Sequence, residues 1–338
     1  MQRFDDIPGV TRTPYGEAMY ARGRALVEGG LDLSHLVWDA DEVLWDWALS
    51  GVRLMSSIPL AIFGWLGHRE WIALRPGMLE LLWGMHHEAL ERGKDPHVRI
   101  WTSGYPWRLW KILREVPGFG ELLGPPFVLA QTDPSRMRDH PRVFTRPDYV
   151  AIVGDLLDPE VREARLATLP EPARTAIARQ LDAGPDDSGF KIPELALLFG
   201  KEAFASARFL IDDARRNVEW FRDAGRSAVH VRSHTPRIVF GKIPNSAWSP
   251  ARFLERSGHR FTQAIADALA SLAGDDAPVI AEARGAPDDA HPPNRIFTID
   301  VPSDVLWREW INPMRKLRKA MKAAARQPPP PAGGACPD

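Results

Sequence analysis

His35-Leu36-Val37-Trp38-Asp39-Ala40-Asp41-Glu42-Val43-Leu44-Trp45 is the stretch whose reading decides the fold. A short apolar run meets an Asp, a small residue, a second Asp and then another apolar run. The first run fits a strand buried on both faces, as in a parallel sheet. Burying one carboxylate at the end of such a strand costs free energy. Two within three residues cost more, unless a cation or hydrogen bonds compensate. Alone, the stretch reads equally well as a loop with two solvated Asp, so the rest of the chain has to decide.

Working outward, Val98-Arg99-Ile100-Trp101-Thr102-Ser103-Gly104 is a second strand, ending in hydroxyl residues and Gly. Phe127-Val128-Leu129-Ala130 reads as a third. Arg208-Phe209-Leu210-Ile211-Asp212-Asp213 is a strand ending in paired acids, and Ser227-Ala228-Val229-His230-Val231 a further strand. Helices are predicted between them. One lies near 15–28; another follows Arg75-Pro76-Gly77, with Met78, Leu81, Leu82, Met85 and Ala89 on one face and Gly93 just past its end. Others cover 106–115, 194–203 and 216–224. Strands alternating with helices imply a parallel sheet with right-handed crossovers. In such sheets ligands sit at the carboxyl ends of the strands. Asp39/Asp41, Thr102/Ser103 and Asp212/Asp213 all fall there and converge on one crevice.

The chain has 338 residues, with 43 Lys+Arg against 44 Asp+Glu, so no global charge marks it for nucleic acid or membrane. Its single cysteine, Cys336, leaves no intrachain disulfide and no thiolate metal site. The N-terminus lacks the apolar core of a secretory signal. The longest uncharged apolar run, 58–66, is far short of a membrane span. The expectation is a soluble cytoplasmic protein that does not enter a membrane.

Four regions follow from the pattern. Residues 1–33 form an N-terminal helical segment, and 34–235 the α/β domain. That domain carries a small helical insert at about 46–74 and a larger one at about 131–190. Within the larger insert a strand or turn is predicted near 149–153 and helix over 160–181. Residues 236–326 are a C-terminal extension, with a helix at 253–272, a strand at 295–299 and a basic helix over 304–326. The Pro/Gly-rich 327–338 tail is expected to be disordered.

Clustered carboxylates without Cys or a His pair favour a hard, oxygen-loving cation, Mg²⁺ first. Such an ion normally keeps positions for water and a substrate phosphate. A carboxylate beside it can attack phosphorus while a neighbouring carboxyl cycles a proton. Lys and hydroxyl groups would stabilise the equatorial oxygens.

These residues resemble the haloacid dehalogenase-like superfamily, with its three-layer Rossmann-like α/β fold around a central parallel sheet. Val37-Trp38-Asp39-Ala40-Asp41-Glu42-Val43-Leu44 is similar to that family's first motif, and Ile100-Trp101-Thr102-Ser103-Gly104 to its second. The run from Phe209 through Asp212-Asp213-Ala214-Arg215-Arg216-Asn217 to Val231 is similar to its fourth. The likeness covers about 35–104 and 191–231. It implies a Mg²⁺-dependent phosphatase in which Asp39 is the nucleophile that forms an aspartyl-phosphate. Asp41 would protonate the leaving group and then deprotonate the attacking water. Thr102 would bind the transferring phosphoryl group, with Ser103 and Gly104 beside it. Asp39, Asp212 and Asp213 would hold Mg²⁺ with help from Asp41. The motif lysine is Lys191, with Lys201 deeper in the same helix as the alternative. Glu42 departs from the Gly common at its position and adds a negative charge near the phosphate site. Asp41 itself points to phosphate chemistry, since dehalogenating relatives replace it.

The implied substrate is a phosphorylated small molecule. Two alternatives from other classes are a catalytically silent phosphoryl-binding scaffold and a phosphatase acting on nucleic-acid ends through the basic C-terminal helix. Arg136, Arg138, Arg142 and Arg146 are candidates for contacting a substrate phosphate. His86-His87 do not read as a metal pair, because adjacent helical positions point apart.

Overall fold

A computed structural model of the chain describes residues 12–50, 68–125, 136–182, 191–232, 261–272, 277–285 and 296–324, with Phe4, Ile7, Pro8 and Val10 ahead of them. In chain order the main elements are α1 (Pro14–Glu28), β1 (Leu36–Trp38), β2 (Trp45–Ser50), β3 (His68–Leu74), α2 (Met78–Glu91), β4 (Ile100–Trp101), α3 (Pro106–Glu115) and β5 (Val143–Phe144). Then come α4 (Arg146–Leu156), α5 (Pro159–Leu166), α6 (Glu171–Asp182), α7 (Pro193–Leu198), β6 (Phe209–Asp212), α8 (Arg215–Asp223) and β7 (Ser227–Arg232). The chain closes with α9 (Phe261–Leu272), β8 (Ile280–Arg284), β9 (Ile296–Val301), α10 (Ser303–Leu306) and α11 (Asn312–Ala324).

The central sheet has the order β5-β4-β1-β6-β7-β8, and every pairing in it is parallel. Leu36, Val37 and Trp38 lie opposite Phe209, Leu210 and Ile211, and all three β1 residues are buried. The pleat sends them to opposite faces. Leu36 and Trp38 join one core with α1, α2, α3 and α9, while Val37 joins a second with α4, α6, α7, α8 and α11. The fold is therefore α/β and Rossmann-like, a parallel sheet between two helical layers. After β1 the chain builds outward through β4 to β5, then returns to the other side of β1 for β6. The reversal between β1 and β6 is where such sheets open a crevice at their carboxyl ends.

The 46–74 insert, expected as short helices, is instead strand at both ends. β2 and β3 pair antiparallel from Trp45↔Leu74 to Ser50↔Arg69, and β9 adds to β3 from His68↔Val301 to Ala73↔Ile296. The Trp/Leu/Ile/Met content of the insert does not separate the two states, and the deciding partner lies more than 200 residues downstream. The expected strand or turn at 149–153 is likewise part of α4. Tyr149, Val150, Ile152, Val153 and Leu156 are buried at helical spacing. Asp148 Oδ2 accepts from both the Thr145 backbone N–H and its hydroxyl, at 2.9 Å each, fixing the helix start.

The predicted strand 127–130, the 253–260 part of a predicted helix, Arg295 and the 327–338 tail lie outside the described residues. The described part of 236–326 joins both sheets. β8 extends the parallel sheet beyond β7, and β9 completes the antiparallel one. Among the described residues no helix is long and apolar enough to cross a membrane.

α1 and α2 cross at two glycines. A Cβ on Gly84 would stand 2.1 Å from Tyr20 O, and one on Gly23 2.2 Å from Leu81 O. Only glycine allows this approach, which seats both helices on the β1 face.

Candidate active site

β1 delivers Asp39 to the crevice, where its amide donates to Ile211 O on β6 at 2.9 Å. The chain then makes one tight turn, with Leu44 N donating to Ala40 O at 3.0 Å and Glu42 N to Trp45 O at 2.7 Å. Glu42 sits at φ 61°, in the left-handed region. For a non-glycine residue this costs on the order of 1–3 kcal/mol, and such residues cluster at functional sites. Arg75, just past β3, holds the turn by donating to Glu42 O, and its guanidinium lies 4.1 Å from the Phe261 ring centre. The turn aims the Asp39 and Asp41 side chains into the crevice; Glu42, half-buried, also lines it.

Asp212 ends β6 and is fully buried. Its Oδ1 accepts from Ala214 N at 2.7 Å, and Asn217 Nδ2 on α8 lies 3.2 and 3.1 Å from its two oxygens. Lys191, two residues before α7, reaches both strand ends: its Nζ is 2.7 Å from Asp39 Oδ1 and 2.6 Å from Asp212 Oδ2. Burial penalises its charge, but Asp212 and Asp39 together outweigh that and hold the ammonium above its ordinary range. Burial pushes Asp39 well above the usual carboxylate range; Lys191 opposes this, and the Asp212, Asp213 and Asp41 charges reinforce it. One ammonium thus faces two buried carboxylates with a third, Asp213, close by, so negative charge is in excess around Asp39.

Carboxylate oxygens of Asp39, Asp212 and Asp213 lie within 4.8 Å of one another. A hard oxygen donor set of this kind fits Mg²⁺, which is held by a few carboxylates and keeps its remaining positions for water and phosphate. Asp41 is oriented otherwise. Its Oδ1 accepts from Trp45 Nε1 at 3.0 Å, and its Oδ2 pairs with Arg108 at 2.8 Å. Arg108, on α3 and 6% exposed, also pairs with Glu70 on β3 at 2.6 Å. One buried guanidinium therefore ties the turn after β1 to the antiparallel sheet.

Thr102 is buried, and its Oγ1 accepts from Gly104 N at 2.9 Å. Ser103 and Gly104, rather than Thr102, line the cavity. A Cβ on Gly104 would come within 3.1 Å of Thr102 Oγ1 and 3.8 Å of Asp41 Oδ2, so this position lies beside Asp41. Lys201, the alternative lysine, lies elsewhere: its Nζ donates to the carbonyls of Arg138, His140 and Val143. Of the four arginines from the 131–190 insert, Arg146 lines the cavity. Arg138 pairs with Asp148 and Arg142 with Asp95. His86 and His87 bond to Pro96 O and the Tyr20 hydroxyl, each at 2.8 Å, as packing residues.

The cavity, of about 620 Å³, has a wall that sequence reasoning did not assign to the site. Tyr105 and Trp310 stack with ring centres 6.1 Å apart at 18°, and the Arg146 guanidinium lies 5.3 Å from the Trp310 ring centre. Burial, then the Glu70 charge, keep the Tyr105 phenol protonated well above its ordinary pKa. Trp307 and Trp310, three residues apart, read locally as a pair that docks this helix on the body; the fold also brings Trp310 to the cavity.

No family model matches the chain, and comparison with curated proteins and with solved structures gives no match.

Proposed function

We propose that the chain is a Mg²⁺-dependent phosphatase of the haloacid dehalogenase-like type, hydrolysing a phosphomonoester through an aspartyl-phosphate. The observation that carries this reading is Lys191 joined to Asp39 and Asp212, at 2.7 and 2.6 Å, with Asp213 alongside. Asp39, Asp212 and Asp213 are the residues that would hold the cation, whose role when bound is to offset negative charge on the phosphoryl oxygens.

In the first step an Asp39 carboxylate oxygen attacks phosphorus; the O–P bond forms as the ester O–P bond breaks. Asp41 gives its proton to the departing oxygen, for which one of its oxygens must turn from Arg108 or Trp45 toward the cavity. In the second step water attacks the same phosphorus and Asp41 takes its proton. Inorganic phosphate leaves, and the Asp39 carboxylate is restored. Lys191 and the Ser103 backbone amide would hold the equatorial oxygens as charge builds on them.

The test is hydrolysis of p-nitrophenyl phosphate by the full chain with Mg²⁺ and with chelator. Turnover that needs Mg²⁺ and disappears in Asp39→Asn supports the reading. An inert chain would mark it as a phosphoryl-binding scaffold, and full activity of Asp39→Asn would remove the nucleophile assignment.

A second reading rests on α11. Arg315, Lys316, Arg318, Lys319 and Lys322 are exposed on it, the helix carries no acidic residue, and Met314 and Leu317 bury its other face. Because the same chain segment brings Trp310 to the cavity, a nucleic-acid end is a second substrate class. Oligonucleotide binding that weakens steeply with salt, and weakens again when Lys316, Lys319 and Lys322 become Gln, would favour it.

A further inference from the structure

We propose that Trp310, held by Tyr105 and Arg146, is the specificity wall for the leaving group, and that the site takes phosphomonoesters carried on a planar aromatic or heteroaromatic ring. This rests on the phosphatase reading above.

Three observations carry it. First, Trp310 sits in a π-helical turn, Trp307–Ile311, between α10 and α11. Such turns are rare, and they appear frequently at functional sites. Second, Trp310 is only half-buried and borders the cavity, unlike the buried side chains Leu306, Met314 and Leu317 that dock the same segment. Third, two residues tie the ring to the phosphoryl-binding loop. Tyr105 stacks with it, and Arg146, which packs against it, donates from Nε to Ser103 O at 2.5 Å. The wall is thus tied through Arg146 to Ser103 and Gly104.

The remaining space argues for a sizeable leaving group. A cavity of about 620 Å³ falls in the range that encloses drug-sized ligands rather than a bare phosphoryl group. The indole surface that Tyr105 and Arg146 leave open borders this space, and a flat ring can pack on it face-on or edge-on. A saturated ring of equal size gains only apolar burial there.

The experiment uses benzyl phosphate and cyclohexylmethyl phosphate, whose rings are matched in size and whose leaving alcohols are matched in basicity. Benzylphosphonate and cyclohexylmethylphosphonate, which cannot be hydrolysed, are titrated calorimetrically into the Mg²⁺-loaded full chain. The aromatic member of each pair is expected to bind about tenfold more tightly, in KM and in Kd. That ratio should collapse toward one in Trp310→Leu and persist in Trp310→Phe. Equal affinities in the wild type, or a preference that Trp310→Leu leaves intact, would overturn the proposal, as would failure of both phosphonates to bind. Tighter binding of benzylphosphonate without turnover of either ester would retain the wall while removing the phosphatase reading. Should Trp310→Leu not fold, Trp310→Met carries the same comparison, and an aromatic preference that persists there overturns the proposal.

Discussion

Lys191 and Asp212 meet at 2.6 Å where neither is accessible to solvent, and the same ammonium reaches Asp39 at 2.7 Å. The link spans two neighbouring strand ends and the start of α7, so it serves as a packing element as well as a site feature. Removing one partner of a buried ion pair costs about 3–5 kcal/mol, because the other charge stays behind without compensation. Lys191→Met should destabilise the metal-free chain by about that amount. A cation bound to the native carboxylates stabilises the folded state by mass action, so MgCl₂ should restore part of the loss. Thermal unfolding of the variant with and without MgCl₂ measures both. A Tm equal to wild type, or one indifferent to Mg²⁺, would contradict this assignment.

The α1–α2 crossing gives a contrast between two glycines. Gly84→Ala would press a methyl against Tyr20 O, at 2.1 Å on the unrelaxed backbone, and backbone cannot rotate away. Overpacking of this kind costs typically ~1–3 kcal/mol and occasionally more. Gly154, in α4, has nothing within 4 Å of its Cβ position. Gly154→Ala should therefore stabilise the helix by about 0.5–1 kcal/mol. Urea midpoints of the two variants should move in opposite directions. A shift in the same direction would mean that the helices do not cross there.

Much of the site was legible because its carboxylates sit at strand ends, where local pattern and chemistry coincide. An apolar run followed by Asp-x-Asp, and another followed by Asp-Asp, place Asp39 and Asp212 at one crevice once the sheet is parallel. Lys191 comes from the family resemblance, with Lys201 as the alternative, and the Lys-x-Pro start of α7 suits that position. What could not be read is what long-range pairing creates. β2 and β3 are strands because β9 completes their sheet, and nothing near residue 46 announces that partner. Arg108 reads as an ordinary amphipathic helix residue until the fold sets Asp41 and Glu70 on either side of its guanidinium. Trp310 is locally one more apolar residue. Only its docking against Tyr105 makes it a wall of the cavity.

Acid should weaken the fold through His86. Burial is the main cause holding this imidazole down at about 4, against an ordinary value of 6.5. Below pH 6.5 the unfolded chain takes up a proton that the native ring refuses. The stabilisation is thus complete above pH 6.5 and is lost as pH falls toward 4. Its size is of the order of 3 kcal/mol. His140, lowered to about 3 chiefly by burial, acts in the same direction. Urea midpoints measured between pH 7 and pH 4 should fall, and fall less steeply in His86→Gln, whose amide can still donate to Pro96 O. Identical slopes for wild type and variant would show that His86 is not the group responsible.

The covalent step is the centre of the functional reading, and trapping it is the most direct test. The full chain is mixed with a ³²P-labelled aryl phosphate and Mg²⁺, quenched in acid within one turnover, and digested. The label is expected on the peptide containing Asp39, labile to hydroxylamine as an acyl phosphate is, and missing when Mg²⁺ is chelated or Asp39 is Asn. Phosphate release with no label on that peptide, or with the label on another residue, would contradict the account, as would a chain that transfers no phosphate at all.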